Sequence, residues 1–152
     1  MILGLLALIG CDLPHDPEGT YQRVRGGMLR VGITEHPPWT DWRDSTPTGI
    51  EVELVQQFAD RLDAEIEWTR SSESELLRAL HRRELDLVVG GLTASTPWSD
   101  QVGLTRPYLT LADAEHVMAV PQGENRWLLE LDRFLQSQRG MVGRLPAAEA
   151  PQ

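Results

Sequence analysis

The residues best suited to bind a ligand occupy two loops, each following a predicted strand. The stretch DLVVGGLTASTPWSDQ (86–101) leaves one strand through two glycines and continues into hydroxyl side chains. Glycine permits a tight turn and a close approach of the backbone to a ligand, and hydroxyl groups both donate and accept neutral hydrogen bonds. The candidate binding residues of this loop are Gly91, Leu92, Thr93 and Trp98.

A second loop, EHPPWTDWRDSTPTG (35–49), follows the alternating apolar pattern of the first predicted strand. Its proline, aspartate and threonine content is typical of a loop. The candidate binding residues at its start are Thr34, Glu35, His36 and Trp39.

Each of these candidates also has a purely structural interpretation. Trp39 fits the edge of the core equally well, Gly91 and Thr93 suit a simple strand exit, and Trp98 suits a packing position. For three side chains of this first-strand loop, a solvated position is a better interpretation than a binding role: Glu35, His36 and Trp42.

The sequence does not indicate catalysis. The four histidines are scattered, and the carboxylate pairs Glu51/Glu53 and Glu73/Glu75 suit the solvated faces of helices. Neither a phosphate-binding loop nor a dinucleotide fingerprint is present. We therefore expect a protein that is not an enzyme, with no catalytic residue, metal site or cofactor.

Length and charge set further limits. The chain has 152 residues, 41% of them hydrophobic, which is enough for one compact core. It carries 23 acidic and 14 basic residues, a formal net charge of −9. Because that field repels a phosphate backbone, we expect no nucleic-acid partner.

Hydrophobic periodicity predicts alternating strands and helices. Together they form an α/β lobe with a parallel sheet of about four strands flanked by three helices. In such sheets ligands bind outside the carboxyl ends of the strands, where the two loops above converge. The predicted strands cover 29–34, 64–68, 85–91 and 116–121, and the helices cover 50–62, a segment beginning at the capping box Ser72–Glu75, and 124–138.

The N-terminal residues are typical of an exported protein. An apolar run, MILGLLALIG, precedes the single cysteine, and it is too short to span a bilayer. Leu8 to Cys11 resembles the bacterial lipobox, whose cysteine becomes lipidated after signal-peptide cleavage, although a buried strand with a thiol is the alternative. Asp12 resembles the residue that retains lipoproteins in the inner membrane. We therefore expect a lipid anchor at the periplasmic face of the cell envelope, in the inner membrane.

These patterns divide the chain into four parts. The segment after the cysteine has no sustained periodicity, and fully extended it would reach roughly 55 Å. The expected parts are a signal peptide at 1–10, the lipidated Cys11 with a tether at 11–28, one lobe at 29–138 and a disordered tail at 139–152.

Several motifs between Leu29 and Tyr108 resemble family 3 of the periplasmic solute-binding proteins. They are LRVGITEHPPW, GIEVELVQQFADRL and ELDLVVGGLTASTPWSDQVGLTRPY, in that order. The resemblance implies the type II periplasmic-binding-protein fold and amino-acid binding for an ABC transporter. After Tyr108, however, HVMAVPQGENRWLLELDRFL resembles the return strand and last helix of the first lobe, so the second lobe is expected to be missing.

The resemblance also implies a changed ligand site. The family's arginine, which binds the ligand carboxylate, falls at Trp98, and the position of a stacking aromatic falls near Glu73. Tryptophan rings beside Glu35 and Glu73 would suit a cation, so the expected ligand is an amino acid or a small cation.

Two hypotheses for function follow. The first is a membrane-tethered, one-lobed binding module that serves as a transport accessory. The second is a protein-interaction or sensory module, whose exposed cleft face docks on a membrane transporter, a sensor or a second copy of the chain.

Overall fold

The computed structural model describes residues 15–43 and 45–143. The predicted signal peptide, the lipidation of Cys11 and most of the predicted disordered tail lie outside these residues. No helix in the described ranges combines the length and apolar character needed to cross a bilayer.

The chain folds into an α/β lobe, as predicted. The helices are α1 (Thr20–Val24), α2 (Ile50–Arg61), α3 (Glu73–His81) and α4 (Asn125–Val142). The strands are β1 (Met28–Ile33), β2 (Glu65–Arg70), β3 (Leu87–Val89), β4 (Val102–Leu104), β5 (Leu109–Leu111), β6 (Ala114–His116) and β7 (Ala119–Pro121).

The main sheet has five strands in the order β2-β1-β3-β7-β4. The first three are parallel, as their helical crossovers require. β7 is antiparallel to both β3 and β4, so the sheet is mixed rather than wholly parallel. β5 and β6 form a separate antiparallel hairpin at the edge of the lobe.

The crossover helices form where the apolar spacing predicts them. α2 buries Val52, Val55 and Phe58 against the sheet. α3 begins at its N-cap Ser72, whose side chain accepts a hydrogen bond from the Glu75 backbone N–H at 3.4 Å. This contact satisfies one of the free amide groups at the helix start, as the capping-box pattern predicts.

The core lies on both faces of the sheet. On the face covered by α2 and α4, the ring of Trp127 packs near Phe58 and its Nε1 donates to the Asp86 carbonyl at 2.8 Å. The other face is covered by α3, whose Leu77 and Leu80 are fully buried. Each face thus has its own hydrophobic cluster, separated by the sheet.

The predicted tether at 11–28 is wrong for its described part, residues 15–28. This segment contains α1, and Val24 is fully buried in the core. The carboxylate of Asp16 accepts a hydrogen bond from the Tyr21 backbone N–H at 2.8 Å. The segment folds because its polar groups pair with the lobe, a relationship that local composition does not reveal.

Other boundaries also differ from the predictions. The predicted strand 116–121 is divided between β6 and β7, and α4 continues four residues beyond the predicted end at 138. Residues 139–142, predicted to be disordered, are therefore helical, and Val142 packs into the core.

Candidate binding site at the carboxyl ends of the parallel strands

The two loops singled out in the sequence meet where β1 and β3 end. The Thr34 backbone N–H donates to the Val89 carbonyl at 3.2 Å, and Nδ1 of His36 lies 3.1 Å from the Gly90 carbonyl oxygen. Thr93 forms an isolated antiparallel bridge with His116. Thr34, His36, Gly91 and Thr93 are thus brought to one edge of the sheet, as predicted.

A buried carboxylate organises this edge. Oε2 of Glu51 accepts hydrogen bonds from the backbone N–H groups of Gly90 at 2.7 Å and Gly91 at 3.0 Å. Its other oxygen, Oε1, accepts from the Tyr108 hydroxyl at 2.5 Å. Burial raises the pKa of the Glu51 carboxyl above its usual value.

The solvated position predicted for Glu51 is therefore wrong. Its side chain is fully buried, because the first turn of α2 lies beneath the loop that leaves β3. Burial also raises the pKa of Tyr108 well above its usual value. Glu53, two residues later on the same helix, is exposed as predicted.

The two glycines of this loop are required by packing. Gly90 has φ +150°, and a Cβ there would lie 2.1 Å from Cγ2 of Thr34. Gly91 has φ +68°, and a Cβ there would lie 2.7 Å from Nδ1 of His36 and 2.8 Å from Cδ1 of Trp39. A side chain at either position would separate the two loops.

Trp39 belongs to the core beneath the site. Only 5% of its surface is exposed, and its ring stacks on that of His116 with 3.8 Å between the ring centroids. Burial, with a smaller effect from His36, lowers the pKa of His116. The structure favours the core-edge interpretation of Trp39, and its contact with a ligand stays a prediction.

A side chain that the sequence analysis did not single out lies at the rim. Arg70, the last residue of β2, forms an ion pair with Glu35. Its Nη1 also donates to the Trp42 carbonyl at 2.9 Å, and about half of the side chain (52%) is exposed. The available signal was its place two residues after the predicted strand 64–68, since the carboxyl ends of parallel strands lie at the same edge as the 34–42 loop.

The loop at 90–99 presents hydroxyl groups to solvent and apolar groups to the core. Oγ1 of Thr93 and Oγ of Ser95 lie 3.0 Å apart in an exposed pair. Leu92 is buried, and Trp98 is half-buried against the α3 side of the core. The structure thus favours the packing interpretation of Trp98, whereas Thr93 stays available to a ligand.

Residues 29–141 match the family model described as bacterial extracellular solute-binding proteins, family 3. The chain belongs to this family. The resemblance seen in the motifs is therefore confirmed.

This family-3 chain is also similar to part of some longer curated proteins. It is 34% identical over 97 residues to membrane-bound lytic murein transglycosylase F of Vibrio cholerae, covering 61% of this chain and 18% of that protein. The corresponding protein of Pseudomonas putida is 37% identical over 110 residues, covering 70% of this chain and 22% of that protein. The chain thus spans about a fifth of the length of these relatives.

Solved structures agree with the family on the fold. The arginine-bound form of domain 1 from TmArgBP superposes with a TM-score of 0.69 at 20% identity, covering 76% of this chain and 97% of that chain. An ancestral cationic amino acid solute binding protein, AncCDT-1, gives a TM-score of 0.71 at 13% identity, covering 82% of this chain and 95% of that chain. These likenesses show that the described residues have the fold of domain 1 of TmArgBP.

The resemblance to the family predicts that the second lobe is missing after Tyr108. In the described lobe, the connection at this point is short. Between β4 and β7 the chain makes only the β5–β6 hairpin. His116 of the hairpin forms a bridge with Thr93, and the hydroxyl of Tyr108, just before the hairpin, donates to the Glu51 carboxylate. The hairpin therefore joins the main sheet at the same edge as the candidate site. Within the described residues, no group of three or more side chains suits a metal ion.

Proposed function

We propose that this lobe binds a small amino-acid-like solute, preferably a cationic one, at the edge formed by the 34–42 and 90–99 loops. The observation that carries the proposal is the Glu35–Arg70 ion pair at the rim of these loops. An amino acid carries both an ammonium group and a carboxylate, and this pair offers a partner for each. A single domain of the same fold with arginine bound supports the same ligand class.

In this proposal, Arg70 binds the carboxylate of the ligand. The family's carboxylate-binding arginine is replaced by Trp98 in this chain, so its role passes to Arg70. A guanidinium binds a carboxylate through paired, charge-assisted hydrogen bonds. The ligand carboxylate would displace Glu35 from Arg70, and the freed Glu35 would then accept from the ligand cation. The exposed Glu73 at the start of α3 and the net charge of −9 add attraction for a cation.

Hydroxyl groups complete the proposed site. Thr93 and Ser95 already form a pair that can open to donate to, or accept from, the solute. The exposed His36 ring belongs to the 34–42 loop, and its Nδ1 lies 3.1 Å from the Gly90 carbonyl oxygen. Because one lobe leaves its ligand partly solvated, we expect weak binding rather than the tight enclosure of a two-lobed receptor.

Isothermal titration of the purified full chain tests this function. Arginine and lysine should bind more tightly than alanine or glutamate, and Arg70→Gln should weaken their binding about tenfold, the loss of one charged hydrogen bond. Thr93→Ala should weaken it less. The matched control is Arg133→Gln, an exposed arginine on α4 paired with Glu130, which should leave the affinity unchanged. Equal affinity in the Arg70→Gln and parent proteins would contradict the proposal.

The lipid anchor belongs to the same proposal. The lipobox-like sequence before Cys11 and the relatives named membrane-bound support a module tethered at the periplasmic face of the inner membrane, as a transport accessory. Expression in bacteria with a radiolabelled fatty acid should label the full chain, and Cys11→Ser should abolish the label. An unlabelled parent chain would remove the anchor from the proposal without affecting solute binding.

A docking function is the second candidate, favoured by the β5–β6 hairpin. Leu111, at its tip, is 39% exposed, one of the few large apolar side chains at the described surface. Such a side chain beside a polar site suits a protein partner or a second copy of the chain. Leu111→Asp should then reduce chemical crosslinking of the chain in its membrane, whereas solute binding should stay unchanged.

A further inference from the structure

The chain enters the lobe at the pole opposite the candidate site. The His15 carbonyl accepts hydrogen bonds from the backbone N–H groups of Asn125 at 2.9 Å and Arg126 at 3.3 Å. These residues begin α4, which directly follows β7. Because β7 runs antiparallel to β3, its end lies where the parallel strands begin, whereas the candidate site lies where they end.

We call this end of the molecule the N-terminal pole. It consists of residues 15–27 and the turns that precede β2, β3 and α4, at 62–64, 82–86 and 122–124. The Gly26 backbone N–H donates to the Leu62 carbonyl at 2.8 Å, which ties two of these segments together.

Buried hydrogen bonds fix the N-terminal segment to this pole. The Glu124 carboxylate, fully enclosed, accepts from the backbone N–H groups of Glu18 at 3.0 Å and Thr20 at 3.2 Å. Nη1 of Arg83 binds the same carboxylate at 3.0 Å. Since Val24 is also fully buried, the chain from residue 15 onward moves with the lobe and adds no length to a tether.

The remaining tether is shorter than the lobe. From Cys11 to His15 there are four residue steps, which reach about 14 Å when fully extended. The six residues of β1 alone separate the N-terminal pole from the site by about 20 Å. If the site faced the bilayer, His15 would lie about 20 Å from the membrane surface. The tether from Cys11 to His15 reaches only about 14 Å, so it does not allow this orientation.

We propose that the lipid on Cys11 holds the N-terminal pole against the membrane and directs the binding edge away from it. The inference rests on the lipid anchor proposed above. The site is then open to dissolved solutes and to macromolecules that stand away from the bilayer. The site cannot contact the bilayer itself, or a partner protein that does not project from the bilayer.

The charged side chains at and near the pole are compatible with a membrane surface, but they do not by themselves determine which way the lobe faces. The guanidinium groups of Arg25 and of the neighbouring Arg126 lie 5.6 Å and 4.5 Å from the centroid of the Tyr21 ring, and such groups attract anionic headgroups. The same pole also carries Asp63 beside an open cavity, which Asp60 of α2 lines as well. Because the charges are mixed, the length of the tether decides the orientation.

Fluorescence quenching in vesicles tests the orientation. The full chain, lipidated during bacterial expression, is reconstituted in phosphatidylethanolamine–phosphatidylglycerol vesicles that carry a quencher on the lipid headgroups. Because Cys11 is the only cysteine and is blocked by lipid, a thiol dye labels one introduced cysteine at a time. Ser95→Cys reports on the binding edge, and Glu84→Cys, at an exposed position, reports on the N-terminal pole.

We expect severalfold stronger quenching of the Glu84→Cys dye than of the Ser95→Cys dye. Equal quenching, stronger quenching at Ser95→Cys, or a chain that does not remain with the vesicles would overturn the proposal. Arginine titrated into vesicles that carry the Glu84→Cys chain, whose binding edge is unmodified, reports solute binding separately. Absence of arginine binding there, with the quenching difference intact, would count only against the proposed function.

A lengthened tether is the matched control. A 20-residue Gly/Ser insertion after Asp12 spans about 25 Å on average, which exceeds the separation between the pole and the site. The two dyes should then be quenched to similar extents. A difference that persists with the insertion would overturn the argument from tether length.

Discussion

The hydroxyl of Tyr108 donates a hydrogen bond to Oε1 of Glu51 at 2.5 Å, across 57 residues of sequence. The other carboxylate oxygen accepts from Gly90 and Gly91. One side chain therefore joins the start of α2, the exit of β3 and the approach to the β5–β6 hairpin. These three segments carry or adjoin the candidate site, so Glu51 shapes the site without facing a ligand.

Glu51→Ala should destabilise the fold by about 3–5 kcal/mol, because three buried donors lose their acceptor. Denaturant unfolding of the variant and parent chains measures the difference in the free energy of unfolding. The matched control is Glu53→Ala, two residues along the same helix and exposed, which should change stability by less than about 0.5 kcal/mol. Equal effects at the two positions would contradict the structural role of Glu51.

The raised pKa of Glu51 predicts a pH dependence with a definite sign. Below its usual value of 4.5, the carboxyl is protonated in both the folded and unfolded chains. As the pH rises toward the higher folded pKa, the unfolded chain releases this proton first. The parent chain should therefore lose up to about 1.4 kcal/mol of stability per pH unit in that window.

Glu51→Gln removes this titration while keeping the size of the side chain. The stability of the variant relative to the parent should rise with pH above 4.5, as measured by urea unfolding at a series of pH values. A constant difference between the two proteins would show that the carboxyl titrates alike in the folded and unfolded chains.

The sequence predicts the parts of the fold that local patterns determine. α2 follows from its apolar spacing, and α3 follows from its spacing and from the Ser72 capping box, since neighbouring residues form these contacts. β4, β5 and β6 have three residues each, too few to show a period. The meeting of the two loops could be predicted because parallel strands share a carboxyl edge.

Long-range polar contacts could not be predicted in the same way. Glu51 looks like any charged residue in the first turn of a helix, and its burial depends on donors 39 to 57 residues away. The N-terminal segment looks like a linker because its order depends on Glu124, more than 100 residues later. The sequence analysis did not identify Arg70, because its partner Glu35 follows a different strand, β1, whereas Arg70 ends β2.

Gly91→Ala should disrupt both stability and the site. The residue has φ +68°, and the added Cβ would meet His36 and Trp39 at less than 3 Å, so we expect a loss of about 2 kcal/mol or more. Gly140→Ala on α4 is the matched control, because nothing lies within 4 Å of its added Cβ. There alanine should stabilise the helix by about 0.5–1 kcal/mol. Thermal unfolding of the two variants should shift in opposite directions, and a shift in the same direction would contradict the packing described for Gly91.

Trp39 and Trp98 should respond differently to truncation, although the sequence places both in candidate binding loops. Trp39→Ala removes a buried ring and leaves the face of His116 uncovered, so it should cost about 3–5 kcal/mol of stability. Trp98 is only half-buried, and Trp98→Ala should cost less than half as much. Urea unfolding compares the two, and a smaller loss for Trp39→Ala would contradict its place in the core. Any loss of solute binding by Trp39→Ala would reflect the damaged fold, whereas Thr93→Ala leaves the core intact and reports on the site itself.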